Sequence, residues 1–154
     1  MLEIRQAFSE ESYKVIKEIF IEYANYLMID LDFQNFDDEL NTLPGHYAPP
    51  EGCILLAYYK RKIAGCVAVR PFKDNICEMK RLYVCPKYRR KKIGKKLSKA
   101  IIQKAKNIGY KYMRLDTLPF MKAALKLYYS LGFKEITPYR YNPIDGAQFF
   151  ELKL

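Results

Sequence analysis

The most constraining stretch of this sequence runs from Ile76 to Ile108, where a strand, a proline stop, a basic turn and an amphipathic helix follow one another without a linker. Ile76 to Val84 is rich in β-forming residues, and Pro86 ends it. A basic cluster follows: Lys87, Arg89, Arg90, Lys91, Lys92, Lys95, Lys96 and Lys99. From Ile93 to Ile108 the residues Ile93, Leu97, Ala100, Ile101, Ala105 and Ile108 fall on one helical stripe, and Gly109 stands at the C′ position. A helix start leaves backbone N–H groups unpaired and carries partial positive charge, so it suits a phosphate. Gly94 lies in that first turn, where the missing side chain lets a pyrophosphate approach the backbone. Arg89 and Arg90 can add forked, charge-assisted hydrogen bonds, and Lys91, Lys92 and Lys95 add charge. A solvated helix end or a nucleic-acid patch would show the same charges.

The rest of the chain supplies a sheet and its cover. Leu2 to Ala7 predicts a first strand, and Ser9 caps a helix whose apolar stripe is Val15, Ile16, Ile19, Phe20, Tyr23 and Leu27. A short helix is expected over Phe36 to Leu43, before Pro44-Gly45. Cys53 to Tyr59, Lys62 to Val69 and Ile76 to Val84 are spaced as an antiparallel meander with a tight Lys60-Arg61 turn. Tyr112 to Leu118 predicts a strand and Met121 to Leu131 a helix ended by Gly132. Phe133 to Ile136 and Gln148 to Leu154 complete the strands. This is a mixed α/β (α+β) pattern with helices on the faces of one sheet, in a single domain over residues 1–154.

Composition excludes several classes. The apolar runs are far shorter than the roughly 20 residues that span a bilayer, so no membrane partner is expected. The N-terminus has no basic segment followed by an apolar one, and the expected location is the cytoplasm. The cysteines, Cys53, Cys66, Cys77 and Cys85, show no C-x-x-C spacing, and His46 is the one histidine. No metal is expected, and the cysteines read as buried free thiols. The net charge of +10 calls for a polyanion or a phosphorylated ligand. No DNA- or RNA-binding motif accompanies it, so nucleic acid is not the expected partner. A homodimer is compatible with the sequence.

The stretch from Met79 to Leu97 resembles motif A of the GCN5-related N-acetyltransferase (GNAT) family, Arg/Gln-x-x-Gly-x-Gly/Ala after a strand and a proline turn. Arg89 matches the first position and Gly94 the second glycine; Lys92 stands where the first glycine belongs. Lys92 therefore implies either a right-handed turn or an altered cofactor affinity. Ala124-x-x-x-Tyr128-x-x-x-Gly132-Phe133 resembles the family's motif B, with Met121 in place of a frequent asparagine. The resemblance implies a mostly antiparallel sheet of about seven strands, splayed between the fourth and fifth. It implies acetyl-CoA as co-substrate, with pantetheine along the backbone of Leu82, Tyr83 and Val84 and pyrophosphate at Arg89 to Lys95, including Ile93.

Acetyl transfer to an amine needs a proton acceptor, stabilisation of the oxyanion and a proton for the departing thiolate. Glu78 is the candidate base, and strict alternation would place it on one face with Ile76, Lys80, Leu82 and Val84. The alternative is an ion pair with Lys80 or Arg81. By resemblance Tyr128 is the general acid; the alternative is a packed aromatic ring. Cys85 with His46 is a lesser nucleophile candidate. Acceptor-pocket candidates are Tyr26, Asp30, Asp32, Phe33, Gln34, His46 and Tyr47, with Arg70 and Arg81 as alternatives for a substrate carboxylate. Asp116 and the loop from Tyr139 to Gly146 border the expected cleft or serve only local structure. The expected reaction is direct acetylation of a primary amine of a small molecule or amino acid. The alternatives are peptide acetylation, a non-catalytic CoA binder and a nucleic-acid module.

Overall fold

The computed structural model describes residues 1–28, 31 and 35–154. The expected acceptor-pocket residues Asp30, Asp32, Phe33 and Gln34 lie outside the described residues. The elements are β1 (Leu2–Gln6), α1 (Glu10–Leu27), α2 (Phe36–Asn41), β2 (Cys53–Tyr59), β3 (Lys62–Lys73), β4 (Ile76–Val84), α3 (Ile93–Ile108), β5 (Tyr112–Thr117), α4 (Lys122–Ser130), β6 (Lys134–Ile136) and β7 (Gln148–Lys153). The strands form one sheet of seven in the order β1-β2-β3-β4-β5-β7-β6. All neighbours are antiparallel except β4 and β5, which run parallel. This is the expected sheet, with helices on both faces.

Local chemistry explains the ends of the elements. Ser9 caps α1 in a reciprocal box: its hydroxyl accepts from the Ser12 N–H at 3.2 Å, and its own N–H donates to the Ser12 hydroxyl at 2.9 Å. Lys60 and Arg61 turn β2 into β3 with φ of +49° and +68°, the twist a two-residue hairpin requires. β3 runs past Val69 to Lys73, because Pro71 sits beside an irregularity in the ladder where its missing N–H is tolerated. The other boundaries depart from expectation by one or two residues at the frayed ends.

Alternation along the central strands divides the core into two layers. Val67 and Val69 of β3, with Leu55 and Ala57 of β2, pack on Ile93, Leu97 and Ile101 of α3. Cys66 and Ala68, with Ile54 and Leu56, pack on Ile16, Ile19 and Phe20 of α1. The alternation breaks in β4. Cys66 pairs with Tyr83 but Ala68 pairs with Lys80, so Arg81 and Leu82 together face Val67, and Arg81 has φ +61°. This is a β-bulge. Gly65 lies against it, and a Cβ added there would stand 2.6 Å from the Tyr83 carbonyl oxygen. Gly65→Ala is expected to lower stability by about 1–3 kcal/mol, read from the urea midpoint, because neither backbone can withdraw.

Candidate active site

β4 and β5 pair at Ile76↔Tyr112, Cys77↔Met113 and Glu78↔Arg114, and there the ladder ends. From Met79 to Val84 the edge of β4 that faces β5 has no partner strand among the described residues, which is the expected splay between the fourth and fifth strands. An open edge of this kind offers N–H and C=O groups to an extended, amide-bearing ligand. The edge leads through a turn at Pro86–Tyr88 to the start of α3. The first bond inside that helix runs from the Lys96 N–H to the Lys92 carbonyl at 3.1 Å, so the N–H groups of Ile93, Gly94 and Lys95 have no intrahelical acceptor.

A groove of about 660 Å³ joins these two features. It is lined by Leu82, Tyr83, Val84, Arg89, Arg90, Lys92, Ile93 and Gly94, with Tyr26, Met121 and Leu127 on the opposite wall. Of the expected cofactor residues, Lys91 and Lys95 stand outside the lining, and Lys91 Nζ lies 4.9 Å from the centre of the Tyr59 ring. Arg89 turns inward: its Nε donates to the Val84 carbonyl at 3.0 Å, its Nη1 to the Tyr26 hydroxyl at 2.6 Å, and its guanidinium stacks on the Tyr26 ring at 4.3 Å. Lys92 has φ +62° and Arg90 φ +66°. The right-handed alternative for Lys92 is thereby corrected: the turn keeps the left-handed geometry of a glycine, and the lysine bears the strain.

A Cβ built on Gly94 would meet only Val84 Cγ2 at 3.7 Å and Leu127 Cδ2 at 3.8 Å, ordinary contacts. The fold itself does not need a glycine there; the space on that side is available to a ligand. The residues present thus fit a pyrophosphate followed by an extended amide chain.

The bulge corrects the expected face of Glu78. Before Arg81, Glu78 and Lys80 project to the α1 side; after it, Leu82 and Val84 pack with Cys77 and Met79 on the α3 side. Glu78 is fully buried. Its partners are not Lys80 or Arg81: Oε1 accepts from Arg70 Nε at 3.1 Å and Arg140 Nη2 at 2.9 Å, and Oε2 accepts from the Tyr139 hydroxyl at 2.7 Å. Arg81 is committed elsewhere. Its fork donates to both oxygens of Glu39 at 2.9 and 3.0 Å, which corrects its assignment to a substrate carboxylate. Tyr47 donates to the same Glu39 at 3.0 Å and, with His46, lines a hollow walled by Arg70 and Arg140.

Inside the splay, Tyr128 faces Lys80, Asp116, Thr117 and Tyr23. Burial, with smaller contributions from Tyr23 and Asp116, raises the Tyr128 pKa, so the phenol holds its proton throughout the physiological range. Lys80 Nζ lies 4.0 Å from Asp116 Oδ1; burial, then the neighbouring Arg81, brings the lysine down to about 8. Asn142 donates to Asp116 Oδ2 at 3.2 Å, so the loop from Tyr139 to Asn142 reaches the site through three side chains. Lys80 and Arg140 were not legible as site residues in the sequence. Sequence places Lys80 only as an alternative ion-pair partner of Glu78, and Arg140 gives no signal beyond its place in a turn-rich, aromatic loop. Cys85 is half-buried, and burial followed by a hydrogen bond to Glu22 pushes its thiol up to about 12. It is therefore not a thiolate nucleophile near neutral pH.

A parallel pair that opens into a V, with a free strand edge and a basic helix start at its mouth, defines an acyltransferase. The chain belongs to the acetyltransferase (GNAT) family, whose family model matches residues 7–133. It is 46% identical over 135 residues to an uncharacterized N-acetyltransferase of Schizosaccharomyces pombe, covering 86% of this chain and 83% of that one. It is 35% identical over 112 residues to the N-acetylaspartate synthetase of Xenopus tropicalis, covering 68% of this chain and 41% of the relative. Its fold superposes on an acetyltransferase from Streptococcus agalactiae with a TM-score of 0.81 at 21% identity, covering 99% and 98% of the two chains. The PaiA N-acetyltransferase of Thermoplasma acidophilum, solved in complex with coenzyme A, gives 0.73 at 21%, covering 100% and 99%. Among the described residues no helix is long and apolar enough to cross a membrane, and no cluster of potential metal ligands occurs.

Two outcomes are expected at this site. Gly94→Ala should leave the melting temperature unchanged or raised, since alanine favours a helix, while weakening coenzyme A binding at least about tenfold by calorimetry. Cys85→Ala should retain turnover, and iodoacetamide at pH 7 should leave turnover intact, because a thiol that titrates near 12 is almost wholly protonated there.

Proposed function

We propose that the chain transfers the acetyl group of acetyl-CoA directly to a primary amine of a small molecule or amino acid. The observation that carries the reading is the single groove in which the open β4 edge runs into the start of α3. The backbone of Leu82, Tyr83 and Val84 pairs with the pantetheine amides. The N–H groups of Ile93, Gly94 and Lys95 receive the pyrophosphate, with charge from Arg89, Arg90, Lys91 and Lys92. The thioester supplies an activated acetyl carbon. As the amine nitrogen bonds to that carbon and the C–S bond breaks, one amine proton leaves and the sulfur takes one up. Tyr128, buried and protonated in the splay, is the donor to the sulfur.

Glu78 enters this reading as a positioning residue. It is fully buried and accepts from Arg70, Arg140 and Tyr139, hydrogen bonds that favour its anion and make it the anchor of that cluster. The acceptor class draws support from the relative named N-acetylaspartate synthetase, whose name specifies an amino-acid acceptor. The basic surface accounts for retention of a phosphorylated co-substrate without invoking nucleic acid. A cytoplasmic location and a homodimer are part of the same proposal.

Free thiol released from acetyl-CoA, followed across amines, amino acids and peptides, tests the reaction; turnover with small amines and none with peptides is expected. Thiol release with no amine in the panel would overturn it. Tyr128→Phe should lower kcat by about 100-fold or more while coenzyme A affinity holds. Glu78→Gln should raise the acceptor KM more than it lowers kcat, the signature of lost positioning rather than a lost base.

A further inference from the structure

We infer that the hollow walled by Arg70 and Arg140 binds a carboxylate of the acceptor, so that the acceptor is a small molecule carrying both an amine and a carboxylate. This rests on the acetyl-transfer reading and adds a subsite to it. The hollow is bounded by α2, the segment after it, β3 and the loop after β6, and its two arginines reach the fork of the splay through Glu78. Glu78 is the last β4 residue paired with β5, and Arg70 is its partner across β3. Both guanidiniums therefore stand where the V begins to open, on the α1 side. Lys80, two residues further along that face, already lines the splay beside Tyr128.

The charges there do not balance. Arg70 and Arg140 converge on the single carboxylate of Glu78, sharing Oε1, while Tyr139 takes Oε2. One positive charge is left over. Arg140 Nε is buried and has no acceptor among the described residues. Burial keeps Nε from a ligand, but the Arg140 side chain as a whole is partly exposed, and its other N–H groups can donate to an incoming carboxylate. Among the described residues the acids that line the hollow do not take up that charge: Glu39 is held by Arg81 and Tyr47, and Asp38 is solvent-exposed.

The guanidiniums are also held in place before any ligand arrives. Arg140 lies 5.6 Å from the Phe72 ring centre and 5.4 Å from that of Tyr139, and Arg70 is fixed by two contacts to Glu78. Planar forks fixed in this way recognise a carboxylate with little loss of side-chain freedom. The hollow measures about 340 Å³, room for a molecule of amino-acid size. A purely structural ion triad would explain the pairing with Glu78. It would not explain why two partly exposed guanidiniums line one hollow while sharing a single carboxylate between them.

The test compares matched acceptors with acetyl-CoA: aspartate and glutamate, each against the amide and the methyl ester of its α-carboxyl group and, separately, of its side-chain carboxyl group. The best acid is expected to exceed its neutral partners in kcat/KM by roughly 30-fold or more. Arg140→Gln and Arg140→Lys should shrink that ratio towards one, with coenzyme A binding and melting temperature as checks on the fold. Equal kcat/KM for acid, amide and ester in the wild-type enzyme would overturn the inference while leaving acetyl transfer standing. If no amine is turned over, the acetyl-transfer reading falls, and calorimetry with succinate and glutarate decides the subsite. Binding that Arg140→Gln abolishes upholds an anion site; no heat with either dicarboxylate overturns it.

Discussion

The site depends on one irregularity, the bulge at Arg81. The extra residue lets β4 separate from β5 after Glu78↔Arg114 while β4 stays paired with β3 on its other side. A left-handed arginine costs about 1–2 kcal/mol. The forked bond to Glu39 of α2 and the stacking of Arg81 over Phe36 at 5.2 Å hold it there. The same residue also exchanges the faces of the strand. Upstream, polar Glu78 and Lys80 face α1; downstream, Leu82 and Val84 face α3 and leave Tyr83 towards Glu22, to which its hydroxyl donates at 2.6 Å. Without the bulge, β4 would be an ordinary central strand and the groove would close.

The start of α3 breaks several local rules at once. First turns favour acidic side chains, yet none occurs there, and Arg90 and Lys92 both take left-handed backbone. Clustered lysines repel one another, and the strained turn adds its own cost. Such conflicts persist where function needs them, because a bound anion reverses the sign of the electrostatic part. The protein's basic surplus is thus concentrated where backbone N–H groups are already unpaired, and the two features favour the same kind of ligand.

Much of the fold was legible in the sequence. The elements of the central segment, Cys53–Tyr59, Ile76–Val84 and Ile93–Ile108, are local matters of β-propensity, proline stops and helical stripes, and their bounds agree with expectation. The groove beside the β4 edge was legible for the same reason: the β4 and α3 residues that line it are nearly contiguous, from Leu82 to Gly94. The bulge was not, because Arg81 carries no glycine or proline to mark it. Strict alternation then carried Glu78 onto the wrong face relative to Leu82 and Val84. The partners of Glu78 were also hidden. Tyr139 and Arg140 lie more than half the sheet away in sequence, and only long-range packing of the loop after β6 brings them to β4.

This asymmetry bears on how the family diversifies. The donor half is built from one strand, one turn and one helix, so a short motif specifies it and it can be carried intact between proteins. The hollow of Arg70 and Arg140 is assembled instead from α2, the segment after it, β3 and the loop after β6, whose residues meet only in the finished fold. A substitution in any one of these changes charge or shape at the fork without disturbing the groove where the co-substrate lies. Membership of the family therefore speaks to the donor, while the acceptor has to be read from how guanidiniums and carboxylates balance in each structure. Here Arg70 and Arg140 share the single carboxylate of Glu78, and that balance is set by residues lying outside both motifs that mark the family.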